Sequence, residues 1–304
     1  MTDRMTVPLK VLVIGRGLIG GALAELLSRR GHQVLTTGQL VPVHRGIRRP
    51  ADPATPRGLD ALVRSVRSYR PDATVLAHGP TDVDRCEVQP REAIEAHAQP
   101  AEALAEIGVA PILVSSDAVF DGSLPIYDET DETTPANAYG YAKLAAERVV
   151  AAVSGGSIVR VSVVYGGRGR RLTFADQCAD AIRLGLAIKV PYDQFFTPVF
   201  IDDACCALTA VVESRERPDL LHVGGPERIS RLDFARLLER LSGSAGEHFI
   251  AAPRAETCWA SRSPNSCLRS TRANQLRGLP LVPIDPAAGL AKLLDRPDPI
   301  SRPA

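Results

Sequence analysis

The feature that most constrains the fold is a short apolar run that leads directly into a cluster of glycines near the start of the chain. The run covers residues 9–14, and leucines at the spacing of one helix face follow the glycines. This order predicts a strand, a tight turn and a helix. Gly15 permits the turn, Gly17 lets the backbone approach a pyrophosphate, and Gly20 or Gly21 lets the helix pack close to the strand. The pattern favours a dinucleotide site over a plain tight turn, because a helix N-terminus offers N–H groups to an anion. The residues assigned to the cofactor in this segment are Gly15, Arg16, Gly17, Leu18, Ile19 and Gly20.

Strand-like and helix-like segments then alternate. Strands are predicted near 9–14, 33–37, 73–77, 111–115 and 157–163, and helices near 18–30, 56–68, 90–107 and 137–153. The alternation predicts an α/β fold, a Rossmann-type doubly wound parallel sheet with right-handed crossovers. Beyond position 166 it weakens, which predicts a smaller C-terminal substrate lobe. We expect a dinucleotide-binding domain over 7–165, to which 200–223 returns, and a substrate-binding lobe over 166–199 and 224–304. Residues 166–171 are expected to form a flexible loop, and the tail from Asp295 to be poorly packed.

Composition excludes several classes of protein. The chain has 304 residues with 36 basic and 35 acidic side chains, so no basic surface indicates nucleic acid. Its six cysteines show no C-x-x-C pairing, which predicts reduced, packing cysteines and no metal site. No apolar run approaches the ~18 residues that a membrane span needs, and the N-terminus lacks the apolar stretch of an export signal. These features predict a cytoplasmic protein without a membrane partner.

Tyr139 and Lys143 stand four positions apart in a predicted helix, which puts them on one face. A free tyrosine has a pKa near ~10, and a nearby cation favours its phenolate. We therefore expect Lys143 to lower the phenol pKa, so that Tyr139 can transfer a proton as a carbonyl is reduced. On an arbitrary helix the same spacing more often gives an exposed ring over a solvated lysine. The glycine turn upstream favours the catalytic interpretation.

Ser116 ends an apolar predicted strand, at the position where open α/β sheets place their chemistry. A hydroxyl there can hydrogen-bond a substrate carbonyl beside Tyr139. The alternative is a serine that caps a helix or a turn. The other two motifs favour the catalytic role.

Together these motifs resemble the extended short-chain dehydrogenase/reductases and, within them, the dTDP-4-dehydrorhamnose reductase branch of sugar-nucleotide reductases. The resemblance covers nearly the whole chain, since further blocks follow in order at 160–166, 193–203, 222–225 and 264–266. It implies NADPH-dependent reduction of the 4-keto group of a nucleotide-linked, dTDP-type 6-deoxyhexose, with Ser116, Tyr139 and Lys143 as catalytic residues. It also agrees with a homodimer. The residues that it places at the sugar or nucleotide are Val163, Tyr165, Gln194, Phe195 and Arg228.

The second predicted strand favours NADP over NAD. An acidic residue at its end would bind a ribose 2′-hydroxyl and repel a 2′-phosphate, but the strand ends in Thr36 and Thr37. Arg16 supplies a planar donor for that phosphate. Further candidate cations are Arg45, Arg48 and Arg49, of which the last two are more simply a solvated loop. By resemblance Asp52 contacts adenine, although Asp before Pro also starts helices. The remaining cofactor residues are Thr36, Ala77, His78, Gly79, Tyr139 and Lys143.

Four departures from the family pattern leave the function open to alternatives. Leu76 and His97 each stand where the family has asparagine, and residues 78–80 replace small and aromatic residues. The glycine turn is also one residue shorter than usual. His97 is either a hydrogen-bonded helix histidine or part of a relay to Lys143. The alternative functions are reduction of a non-sugar carbonyl, and a non-catalytic NADP-binding regulatory subunit like the β subunit of methionine adenosyltransferase.

Overall fold

The computed structural model describes residues 7–37, 55–167, 172–244, 246–257, 260–276 and 283–295. Several sequence predictions lie outside these residues: the contacts of Arg45, Arg48, Arg49 and Asp52, the loop at 168–171, and the tail after Asp295. Within the described ranges no helix has the length and apolar character needed to cross a membrane.

Strands and helices alternate along the chain. The strands are β1 Lys10–Ile14, β2 Gln33–Thr37, β3 Ala73–Leu76, β4 Ile112–Ser116, β5 Ser157–Val161, β6 Val164–Tyr165, β7 Ile188–Pro191, β8 Phe195–Phe196, β9 Val199–Phe200, β10 Leu220–Val223, β11 Ile229–Ser230, β12 Phe249–Ala252 and β13 Asn265–Ser266. The helices are α1 Leu18–Arg29, α2 Pro56–Tyr69, α3 Val83–Val88, α4 Pro90–Glu106, α5 Ala138–Ala151, α6 Phe174–Leu184, α7 Ile201–Glu213, α8 Arg231–Leu241 and α9 Pro286–Leu294. The predicted elements up to β5 agree with these bounds to within two residues. Helix α3 was not predicted.

Six parallel strands form the central sheet, in the order β10-β5-β4-β3-β1-β2. From β1 the chain first adds β2 on one side, and then returns to add β3 on the other. The direction of winding therefore changes between β1 and β3, where the carboxyl ends of strands flank a crevice in folds of this kind. The predicted fold class is confirmed.

Both faces of the sheet are covered, as an all-parallel sheet requires. In β1, Val11 and Val13 pack into an apolar cluster with α1 and α7, whereas Leu12 and Ile14 face a second cluster with α2 and α4. All four side chains are fully buried. Burial of a side chain of this size contributes about 1.5–3 kcal/mol, so each strand is held from both sides.

The C-terminal half both completes the sheet and builds a second group of elements. Strand β10 pairs with β5 at the edge of the sheet, while α6, α8 and the short sheets β11-β8-β13 and β12-β7 lie outside it. Residues 220–223 thus join the sheet as β10, while the domain bounds, including the return of 200–223, stay a prediction. Strand β8 pairs in parallel with β13 across some seventy positions of sequence, which brings residues 264–266 beside Phe195.

Candidate active site

The glycine turn after β1 has the backbone that the sequence predicts. Gly15 has φ +102°, and a Cβ there would collide with the carbonyl of Ala77 at the end of β3. A Cβ at Gly20 would collide with the carbonyl of Gly15, which explains the close packing of α1 on β1. Gly17, by contrast, faces open space. It is the N-cap of α1 and makes no side-chain capping bond, so the first turn of the helix can offer its N–H groups to an anion.

The residues around this turn fit a dinucleotide that carries a 2′-phosphate. Arg16 is exposed at the turn, and Leu18 and Ile19 are half-buried beside it. At the end of β2, Thr36 is half-buried and Thr37 is buried, with the Thr37 carbonyl accepting from Gly15 N–H at 2.6 Å. An arginine in the glycine turn, with threonines rather than an acidic residue at the end of β2, suits a phosphate better than a neutral ribose hydroxyl.

Ser116 is the last residue of β4, the strand that pairs with β3 in the sheet. Its Oγ donates to Asp117 Oδ1 at 2.9 Å and accepts from Ala118 N–H at 3.2 Å. Asp117 also accepts from Ser162 Oγ at 3.3 Å. Burial raises the pKa of Asp117 to about 6, and the bonds from these hydroxyls oppose that rise.

Helix α5 carries Tyr139 and Lys143 directly over the Ser116 turn. Asn137 caps the helix by accepting from Gly140 N–H at 2.9 Å, and its Nδ2 donates to Ser261 O at 3.0 Å. A Cβ at Gly140 would collide with the carbonyl of Ala118, so this glycine allows the helix to approach the end of β4. The Asn137 cap and the predicted helix face therefore place Tyr139 and Lys143 beside the end of β4.

Tyr139, Lys143 and Ser116 lie close together. The Ser116 hydroxyl is near enough to the Tyr139 phenol to oppose the rise of its pKa. Lys143 Nζ donates to Val114 O at 3.1 Å and lies 5.9 Å from the centre of the Tyr139 ring. The side chain of Lys143 is only 5% exposed, and this burial lowers its pKa to about 8 against the opposing charge of Glu147.

The pKa of Tyr139 does not follow the prediction. Burial raises it above its ordinary value, and the Ser116 hydroxyl opposes that rise only in part. The expected lowering by Lys143 is therefore wrong, because the loss of water around the phenol, together with the nearby charge of Asp117, raises the pKa. A phenol that keeps its proton at neutral pH remains suited to donating that proton to an oxygen as it becomes an alkoxide.

Of the two alternatives for His97, its contacts match the hydrogen-bonded helix histidine rather than the relay to Lys143. Its Nε2 hydrogen-bonds with Pro80 O at 3.1 Å, and its ring meets that of Tyr139 edge-to-face at 5.9 Å. Burial, together with the charge of Lys143, holds the pKa of His97 well below its ordinary value. Leu76, which also stands where the family has asparagine, is fully buried in the core.

Phe195 and Arg228, two predicted substrate residues, lie in contact. The guanidinium of Arg228 stacks 3.8 Å above the centre of the Phe195 ring, while its Nη2 donates to Asn265 Oδ1 at 2.7 Å. Both side chains line a cavity of about 550 Å³. Gln194 is buried nearby, and its main-chain carbonyl accepts from the main-chain N–H of Arg231 at 2.9 Å. Val163 is half-buried beyond the end of β5.

Tyr165 is not at the site. Its side chain is 1% exposed and packs edge-on against Phe200 and Phe234, at 5.5 and 5.3 Å between ring centres. Its hydroxyl lies close to Gly289 of α9. The predicted substrate contact is therefore wrong, because this tyrosine belongs to the core that α8 and α9 complete. Conversely, the sequence prediction omitted Asp117, although it stands next to Ser116 in the strand-end motif.

Comparisons with known proteins agree with this geometry. Residues 9–296 match the family model described as the RmlD substrate binding domain. The chain is 30% identical over 275 residues to a dTDP-4-dehydrorhamnose reductase of Mycolicibacterium smegmatis, covering 86% of this chain and 76% of the relative. It is 30% identical over 252 residues to that of Escherichia coli, covering 78% and 83%. The fold matches a dTDP-4-dehydrorhamnose reductase of Bacillus anthracis solved in complex with NADP, with a TM-score of 0.83 at 21% identity over 95% of this chain and 99% of that one. The resemblance drawn from the sequence is confirmed, and the chain belongs to the RmlD substrate binding domain family.

Proposed function

We propose that this protein is an NADPH-dependent reductase of the 4-keto group of a dTDP-linked 6-deoxyhexose. The observation that carries the proposal is the grouping of Ser116, Tyr139 and Lys143 at the carboxyl edge of the sheet. The glycine turn lies at the same edge, as the contact between Gly15 and Ala77 requires. The names of the curated relatives support the nucleotide-linked sugar as substrate.

The chain has a place for each part of the cofactor. The glycine turn and the N-terminus of α1 would hold the diphosphate, Arg16 the 2′-phosphate, and Tyr139 with Lys143 the ribose next to the nicotinamide. NADPH, when bound, supplies the hydride that converts the ketone to an alcohol.

The side chains around Tyr139 handle the proton. Its raised pKa keeps the phenol protonated until the substrate oxygen gains charge, at which point the phenol donates its proton to that oxygen. Ser116 is placed to hydrogen-bond the same oxygen. With a pKa of about 8, Lys143 is mainly cationic at neutral pH, and its charge stabilises the tyrosine oxygen after the proton has left.

The nucleotide end of the substrate would bind in the cavity of Phe195 and Arg228. A ring that already supports a planar cation, beside the amide of Asn265, offers both stacking and polar contacts. Contacts with a part of the substrate remote from the ketone can position the ketone for reaction. A homodimer and a cytoplasmic location stay predictions from the sequence.

The test is to mix the protein with NADPH and a panel of dTDP- and UDP-linked 4-ketosugars, and to follow the loss of NADPH absorbance. We expect turnover of at least one nucleotide-linked ketosugar and little turnover of the free sugar. Equal turnover of free and linked ketones would reject the sugar-nucleotide assignment. Tight NADPH binding without turnover of any member of the panel would instead support the non-sugar reductase or the regulatory subunit.

A further inference from the structure

Two histidines join the turn after β3 to helix α4, one from each side. His78 belongs to the turn, and its Nε2 lies 2.9 Å from the carbonyl oxygen of Ala96 on α4. His97 belongs to α4, and its Nε2 lies 3.1 Å from the carbonyl oxygen of Pro80 in the turn. Because a carbonyl only accepts, both Nε2 atoms carry a proton and donate it. We call this reciprocal pair, His78 to Ala96 and His97 to Pro80, the histidine clasp.

The clasp is tightly packed around His97. The ring is 1% exposed, and its centre lies 6.3 Å from that of His78. Between the two bonds stands Gly79, with φ +107°, where any Cβ would collide with the His97 ring. Only glycine combines this backbone with this contact. The depressed pKa of His97 keeps the ring neutral, so that its one ring proton is the one donated from Nε2.

The clasp lies between the two halves of the candidate active site. On one side, the His97 ring meets the Tyr139 ring edge-to-face at 5.9 Å and 69°. On the other side, the turn begins at Ala77, which packs against the glycine turn. The Ala77 carbonyl leaves no room for a Cβ at Gly15, and a Cβ added at Gly20 would lie 3.2 Å from the Cβ of Ala77. A continuous set of contacts thus runs from the glycine turn, through the clasp, to the catalytic tyrosine.

We propose that the histidine clasp fixes the distance between the cofactor-binding turn at 77–80 and Tyr139, and so positions the bound dinucleotide for reaction. The proposal rests on the proposed function, in that it takes the crevice beside Gly15 as a dinucleotide site. His78 and His97 act here as positioning residues: they hold the wall of the site and Tyr139 in one arrangement. A displacement of about 1 Å between reacting groups can cost roughly a hundredfold in rate, so such a support has a measurable effect.

Substitutions that keep or remove the Nε2 donor provide the test. In His97→Gln the amide nitrogen can reach the position of Nε2 and donate to Pro80, whereas His97→Phe keeps a ring against Tyr139 and loses the donor. We expect the phenylalanine variant to lose tenfold to a hundredfold in kcat/KM for NADPH, and the glutamine variant to lose less than about threefold. The pair His78→Gln and His78→Phe should behave in the same way.

A matched control is His32, which is also buried but bonds Glu213 at 2.9 Å near the opposite end of the strands. His32→Phe should lower the melting temperature without changing NADPH binding. The double variant His78→Phe/His97→Phe should be little worse than the poorer single variant, because one broken bond already frees the turn. Losses that multiply, or phenylalanine variants with normal NADPH dissociation constants and kcat, would overturn the proposal.

Two further measurements keep the result interpretable. If His97→Phe does not fold, the half-buried His78 carries the same test with its own pair of variants. A lowered melting temperature with unchanged kinetics would show a purely structural role and reject positioning. The dissociation constant for NADPH, measured by nicotinamide fluorescence, needs no sugar. Failure of the sugar assignment would leave that readout intact, whereas a wild type that binds no NADPH would remove both proposals.

Discussion

A buried ion pair behind the catalytic helix gives the sharpest prediction about stability. Arg160 on β5 donates through Nε and Nη2 to the two carboxylate oxygens of Glu147 on α5, at 2.9 and 2.7 Å. Their side chains are 7% and 4% exposed. Glu147 also accepts from Ser115 at 2.5 Å, and Arg160 Nη1 lies 3.3 Å from His222 Nε2. The pair thus ties α5 to β4, β5 and β10, one helical turn from Lys143.

We predict that Glu147→Gln lowers the free energy of unfolding by about 3–5 kcal/mol, because it leaves the guanidinium charge buried without its carboxylate. Glutamine has nearly the same shape as glutamate, so a cavity does not contribute. At the usual 2–4 °C per kcal/mol for a chain of this order of size, the melting temperature should fall by roughly 10 °C. Urea unfolding followed by circular dichroism measures the free energy, and a thermal scan measures the melting temperature.

The exposed pair of Arg91 and Glu95 provides the control, since it has a similar distance of 2.9 Å but a 91% exposed arginine. Glu95→Gln should change neither measurement beyond its error. Removing both buried charges, in Glu147→Leu/Arg160→Met, should cost less than Glu147→Gln alone. If Glu147→Gln changed the free energy of unfolding as little as Glu95→Gln, the buried pair would not stabilise the fold as its geometry indicates.

The remaining predictions concern the site itself. Tyr139→Phe should lower kcat by ~10²–10⁴ with little change in NADPH affinity, because only the proton donor is lost; ordinary turnover would refute its role. Loss of the Lys143 proton should make kcat/KM fall as the pH rises through about 8. The folded pKa of Lys143 lies below its ordinary value, so its deprotonation does not weaken the fold, and parallel melting scans should show a folded protein above that pH. Arg16→Ala should reduce the preference for NADPH over NADH about tenfold to a hundredfold, the value of one charge-assisted contact, while Arg91→Ala leaves it unchanged; equal ratios in both variants would contradict this. Arg228→Met should raise the KM for the nucleotide sugar without altering NADPH affinity, and a normal KM would exclude it from the substrate site.

Local sequence patterns predicted the strands of the sheet and their helices, because the residues of each such element are themselves enough to indicate its type. Strand β2 begins and ends where the sequence places it, and Gly15 takes the positive φ that the turn requires. Helix α3 escaped prediction because it is short, although Asp82 caps it by accepting from Arg85 N–H at 3.2 Å and is a readable start signal. The pairing of β8 with β13 joins distant segments of two residues each, and no local pattern records such a pairing.

The candidate site was predictable in its residue types and less so in its physics. Spacing placed Tyr139 and Lys143 on one face, but the pKa of Tyr139 depends on burial by the surrounding fold. Tyr165 was misassigned because its position in a family block says nothing about the core that α9 closes over it. The role of His97 depends on the approach of Pro80 to α4, which is a tertiary contact.

The most direct test of the central claim is to follow a label from cofactor to sugar. NADPH with deuterium at both C4 positions of the nicotinamide is incubated with the protein and the dTDP-linked 4-ketosugar that it turns over, and the product is examined by NMR and mass spectrometry. We predict one deuterium at C4 of the sugar for the wild type. For Tyr139→Phe we predict that the initial rate of label transfer is lower by a factor of ~10²–10⁴. Deuterium at another carbon, no deuterium in the sugar, or equal rates for the two proteins would contradict reduction of the 4-keto group by Ser116, Tyr139 and Lys143.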